Sequence, residues 1–99
     1  MTAEQLIEEV NKGEALLLDV RTPGEYHFGH VKGALNIDVM AHDFSQKAEK
    51  LSRDKNVYLY CRSGGRSGNA TSILKEMGFE KATNIGGFDS LADAGLPVE

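Results

Sequence analysis

Four short apolar runs, at residues 15–20, 34–37, 57–61 and 82–85, alternate along this chain with stretches of helical periodicity. No other feature limits the fold as much. A short continuous apolar run suits a strand buried on both faces of a parallel sheet, and the segments between the runs must then supply the covering helices. Thr2 and Gln5 have capping-box spacing; Leu6, Ile7 and Val10 then share a face, and Gly13 ends the helix. Thr22 and Glu25 repeat the box, with Pro23 in the first helical position. Asp43 is placed to cap a helix on which Phe44, Ala48 and Leu51 recur, and Ala70, Ile73, Leu74 and Met77 form a stripe stopped by Gly78. Gly86-Gly87 is expected to break the last strand before a helical turn at residues 90–94. The order α-β-α-β-α-β-α-β-α predicts an α/β fold, a small parallel sheet of four to five strands with helices on both faces. Ligands in such sheets bind beyond the carboxyl ends of the strands.

At 99 residues the expectation is one domain, 1–99, with one core and no room for a large cofactor beside a separate substrate domain. The net charge of −4 argues against a general nucleic-acid or anionic-membrane binder. No apolar run approaches the roughly 20 residues of a membrane span, and the first residues lack the basic-then-apolar order of a secretory signal. The chain has one cysteine, Cys61, which has no internal disulfide partner. A lone thiol suits a reducing compartment, and the expected location is cytoplasmic.

Cys61 ends the third apolar run, and Arg62-Ser63-Gly64-Gly65-Arg66-Ser67 follows, with a helix expected to begin near Ser67. A strand, a glycine-bearing loop and a helix start together turn backbone N–H groups inward and form an anion cradle. Between Lys55 and Lys75 there are four cations and no acid, so the local field favours anions in a chain that is acidic overall. A free cysteine by itself reads as a small buried hydrophobe; this position predicts a reactive Cys61, a thiolate near neutral pH.

Residues 18–26 (LDVRTPGEY), 29–37 (GHVKGALNI), 60–67 (YCRSGGRS), 86–88 (GGF) and 94–98 (AGLPV) together resemble the ordered signatures of the rhodanese family of sulfurtransferases. The resemblance implies a rhodanese-like fold and a single-domain thiosulfate sulfurtransferase. Cys61 would be its catalytic residue, carrying sulfur as a persulfide. Arg62, Ser63, Gly64, Gly65, Arg66 and Ser67 would bind substrate. Its partners would be a small anionic sulfur donor and cyanide, a thiol or a protein as acceptor, with no metal or organic cofactor. Asp38 stands where the family commonly has proline and Leu91 where it usually has tryptophan. The family's lead strand is reduced to a stub, so residues 82–85 are expected at an exposed edge.

The alternatives are a rhodanese-like cysteine phosphatase or arsenate reductase, and a sulfur-relay or partner-binding domain. Cysteine phosphatases place five residues between Cys and Arg; here four separate Cys61 from Arg66. Non-catalytic relatives typically lack the cysteine. His27, His30 and His42 read as loop or packing histidines rather than metal ligands. Asp19, Arg21 and Glu25 fall near the predicted active edge in supporting positions. Either acid has the reach to brace the loop through Arg66 or Arg21, or else caps a turn, and a structural role is preferred for both.

Overall fold

The computed structural model describes residues 1–99. The Thr2 hydroxyl accepts the Gln5 N–H at 3.1 Å, and the Gln5 side chain accepts the Thr2 N–H at 2.8 Å. These reciprocal bonds open α1 (Ala3–Asn11). The same box, closed by Thr22 and Glu25 at 3.1 and 3.3 Å, opens α2 (Pro23–Phe28). Gly13 and Gly78, with φ of 76° and 99°, occupy left-handed positions after the first and fourth helices, where a side chain would be strained.

The strands β1 (Ala15–Asp19), β2 (Leu35–Asn36), β3 (Asn56–Cys61) and β4 (Ala82–Gly87) form one parallel sheet in the order β2-β1-β3-β4. Alternation along the two central strands divides the core. Leu18, Val20, Val57, Leu59 and Cys61 face α3 (Phe44–Ala48) and α4 (Gly65–Glu76), meeting Phe44, Ala48, Ala70 and Leu74. Ala15, Leu17, Tyr58 and Tyr60 face the other way, toward Leu6 of α1 and the segments carrying Val31 and Leu96. Phe88 and Leu91 of α5 (Phe88–Asp93) pack at the margin of this second layer. Leu18 and Leu59 are wholly buried; burial on this scale contributes about 1.5–3 kcal/mol per leucine.

The nine elements follow the predicted order, in the α/β class expected. Four local expectations are corrected. First, α4 begins at Gly65, two residues before Ser67, because the Gly68 N–H already bonds the Gly64 carbonyl at 3.0 Å. Second, Asp43 stands at the start of α3 but makes no capping bond; its φ of −97° and ψ of 13° are not the extended geometry of a capping residue, and its carboxylate lies 3.5 Å from Lys47. Third, the last helical turn starts at Phe88 rather than Ser90. Fourth, Gly86-Gly87 does not break β4 but completes it. The β3–β4 register slips between Leu59, opposite Asn84, and Tyr60, opposite Gly86. A left-handed Gly86, φ 107°, lies at this irregularity. A Cβ on Gly87 would meet the Arg62 carbonyl oxygen at 2.5 Å, so glycine there lets the loop after β3 lie directly on β4.

Strand β4 has a neighbour on one side only, so residues 82–85 lie at the edge of the sheet. Amide hydrogen exchange should therefore be faster across residues 82–85 than across residues 57–59 of the central β3. Equally strong protection in both would mean that the edge is covered in solution.

Candidate active site

Cys61 ends β3 on the α4 face of the sheet and is 1% exposed. Gly64, at φ 101° and ψ −13°, turns the chain so that its N–H points back at Cys61 Sγ, 3.0 Å away. A side chain at this φ would be strained, which is why the loop needs glycine here. The Ser67 hydroxyl, in the first turn of α4, stands 3.4 Å from the same sulfur. Burial pushes the Cys61 thiol up. Hydrogen bonds from the Ser67 side chain and from the backbone N–H groups of Ser67, Gly64 and Ser63 outweigh burial and bring it down to about 7. A thiolate is therefore accessible near neutral pH.

The two loop arginines differ. Arg66 makes a two-point pair with Glu25 of α2, Nη1 to Oε1 at 2.7 Å and Nη2 to Oε2 at 2.9 Å. Glu25 also accepts from the Thr22 N–H and hydroxyl, each at 3.1 Å. One carboxylate therefore caps α2 and clamps the start of α4. The Arg66 guanidinium holds the Glu25 carboxyl down to about 2, well below the usual carboxylate range. Arg62 is exposed and pairs with no acid. It borders a cleft of about 380 Å³ with Glu25, Phe28 and Phe88. Ser63 is exposed on the loop and Gly65 is exposed at the start of α4.

Asp19 and Arg21 make no hydrogen bond to the loop, although Arg21 borders the same cleft as Arg62. Asp19 is wholly buried on the opposite sheet face and accepts from Arg21 Nη2 at 2.7 Å, from the Arg21 backbone N–H at 2.9 Å and from the Tyr60 hydroxyl at 2.8 Å. Arg21 donates onward to the Gly29 carbonyl at 2.7 Å and lies over the Phe88 ring. Tyr60 in turn accepts the Val31 N–H at 3.0 Å. This network fixes the carboxyl edge on which α2 is mounted. His30 stacks on Tyr26 and lies 2.9 Å from the Tyr26 carbonyl and 3.2 Å from a Glu99 oxygen, a packing role.

Sequence reasoning missed Asn84. It donates to the Gly64 carbonyl at 3.0 Å and accepts from the Ser67 hydroxyl at 2.7 Å, joining β4 to the loop. The available signal was its spacing: Asn84 lies two residues beyond the buried Ala82 and so on the Cys61 face.

Residues 2–94 match the rhodanese-like domain family. The uncharacterized protein YqhL of Bacillus subtilis is 40% identical over 84 residues, covering 82% of this chain and 65% of that protein. Thiosulfate sulfurtransferase PspE of Escherichia coli is 39% identical over 77 residues, covering 76% of this chain and 72% of that one. The crystal structure of a rhodanese-related protein from Thermoplasma volcanium superposes with a TM-score of 0.79 at 30% identity, covering all of this chain and 95% of that one.

The Glu25–Arg66 pair carries a pH signature. Because the folded carboxyl sits near 2 and its ordinary value is 4.5, the stability it confers is complete above about pH 4.5 and is lost as pH falls through about 2. Glu25→Gln should cost about 1 kcal/mol at pH 7 by urea denaturation. The gap from wild type should close between these two pH values, and a gap that persists at pH 2 would show that charge pairing is not its source.

Proposed function

We propose that this chain, which belongs to the rhodanese-like family, is a sulfurtransferase that carries a sulfane sulfur as a persulfide on Cys61. The observation that carries the reading is the thiol itself. Its sulfur sits against the Gly64 N–H and the Ser67 hydroxyl, and these donors bring it down to about 7 despite burial. Such a group is a nucleophile at neutral pH without a separate base.

The Cys61 thiolate attacks the outer sulfur of thiosulfate or a similar donor. A new sulfur–sulfur bond forms, the donor's own sulfur–sulfur bond breaks, and sulfite leaves with the electron pair. Cyanide or a thiolate then attacks the outer sulfur of the persulfide, giving thiocyanate or an acceptor persulfide and returning the Cys61 thiolate. Two half-reactions through one covalent intermediate predict ping-pong kinetics. Electrons balance without a metal or organic cofactor. The activity named for the Escherichia coli relative supports thiosulfate as donor; a thiol or a protein is the acceptor in the cell.

In this reading the loop amides of residues 62–67 hold the anionic persulfide, and the free guanidinium of Arg62 meets the donor's anionic end and the departing sulfite. Arg66, occupied by Glu25, braces the loop instead of gripping substrate. Ser63 supplies a backbone donor and Ser67 a hydroxyl, while Gly64 and Gly65 permit the turn. Asp19, Arg21 and Glu25 support the frame. The protein works as one domain, 1–99, in a reducing compartment such as the cytoplasm, where a lone thiol stays free; no helix is long and apolar enough to cross a membrane. The four-residue spacing and the 1% exposure of Cys61 favour a slender terminal sulfur over a tetrahedral phosphate or arsenate.

Intact mass spectrometry tests the reading. Thiosulfate should add the mass of one sulfur atom to the reduced protein, cyanide should remove it, and Cys61→Ser should accept none. A folded, reduced wild type that takes up no sulfur, or that turns over p-nitrophenyl phosphate briskly, would overturn it.

A further inference from the structure

The Ser67 hydroxyl has one proton and three acceptors around it. Its oxygen lies 2.7 Å from Asn84 Oδ1, 3.2 Å from the Gly64 carbonyl and 3.4 Å from Cys61 Sγ. At 2.7 Å the contact to Asn84 Oδ1 has the usual O–H···O length, and it is shorter than the 3.2 Å contact to the Gly64 carbonyl. The Asn84 amide cannot turn over to change this. Its Nδ2 donates to the Gly64 carbonyl at 3.0 Å, and its Oδ1 accepts the Gly86 N–H at 3.1 Å. A flipped amide would set two oxygens against each other and two donors against each other.

We propose that Asn84 is a positioning residue that governs where the single Ser67 proton points, and so whether that proton is available to Cys61 Sγ. This rests on the assignment of Cys61 as the sulfur-bearing nucleophile. While Cys61 is a thiol, Ser67 gives its proton to Asn84 Oδ1. The Ser67 oxygen is then free to accept the S–H, so Cys61, Ser67 and Asn84 form a short relay. When Cys61 is an anion, the Ser67 proton swings to sulfur. Asn84 Oδ1 is not orphaned by this, since the Gly86 N–H still satisfies it. The swing moves no heavy atom and leaves no polar group unpaired.

The consequence has an unexpected sign. Asn84 competes with the thiolate for a proton and so favours the thiol. It holds the nucleophile near ambient pH, where the product of thiolate fraction and intrinsic nucleophilicity is largest. The other charge acting at the sulfur remains in place: Arg66 of α4, itself paired with Glu25 of α2 and acted on by Asp38. Strand β4 carries no titratable side chain, and Asp19 of β1 lies on the opposite sheet face.

The test is the pH dependence of Cys61 alkylation by iodoacetamide in wild type, Asn84→Ala, Ser67→Ala and the double variant. Asn84 is exposed, so truncating it leaves the core intact. In Asn84→Ala the inflection should fall by about half a pH unit, roughly a threefold rise in thiolate-to-thiol ratio at a given pH below it. In Ser67→Ala it should rise, because the anion loses its hydroxyl donor. The double variant should match Ser67→Ala. A residue that merely held the loop together would loosen the cradle when removed and raise the inflection. A rise or no change in Asn84→Ala, or the same fall in the Ser67→Ala background, would overturn the inference. The readout needs no sulfur donor, so a failure of persulfide formation would count against the proposed function alone.

Discussion

The carboxyl edge of the sheet is organised by a carboxylate that is wholly buried. Asp19 ends β1 with no solvent access and would be prohibitively costly there if unpaired. Its partners are therefore obligatory: the Arg21 guanidinium and backbone N–H, and the Tyr60 hydroxyl. Each partner is also tied elsewhere. Arg21 holds the carbonyl of Gly29 just after α2, and Tyr60 holds the N–H of Val31. Asn36 donates to the carbonyls of Asp19 and Arg21 at 3.0 and 2.9 Å, fixing the two-residue β2 to the same edge. Removing one partner would leave buried charge exposed to nothing, so the network holds or fails as a unit.

The site inherits its geometry from this frame in two steps. Tyr60 precedes Cys61, so β3 presents the buried hydroxyl on one sheet face and the thiol on the other. The acid network and the sulfur are neighbours in sequence yet separated by the sheet. Helix α2, held at Gly29, offers Glu25 to Arg66, which pins the first turn of α4 where its N–H groups serve the sulfur. The loop is closed from the remaining side by β4, through the bare face of Gly87 and the amide of Asn84.

Much of this was legible in the sequence because local chemistry announced it. Both capping boxes, the helix-stopping glycines and the alternation of runs specified nine elements in order. Cys61 followed by two glycines and two arginines specified the loop. What failed to show was whatever depends on packing between distant segments. Gly86-Gly87 looked like a turn because the need for glycine at Gly87 comes from Arg62, far away in sequence. Asp43 looked like a cap because its residue type was right, but its backbone is not extended. The partners of Glu25 and Asp19 could be narrowed to two arginines but not chosen between, since that choice depends on which sheet face each acid occupies. Asn84 carried no signal beyond its spacing from Ala82.

In the proposed function, loop amides and the Ser67 hydroxyl form a preorganised cradle for an anionic sulfur on Cys61. A crystal structure of the protein after thiosulfate treatment tests it most directly. The expected result is one additional sulfur bonded to Cys61 Sγ, within hydrogen-bond reach of N–H groups from residues 62–67, with the Glu25–Arg66 pair intact. An unmodified Cys61, or an added sulfur turned away from those amides, would contradict it.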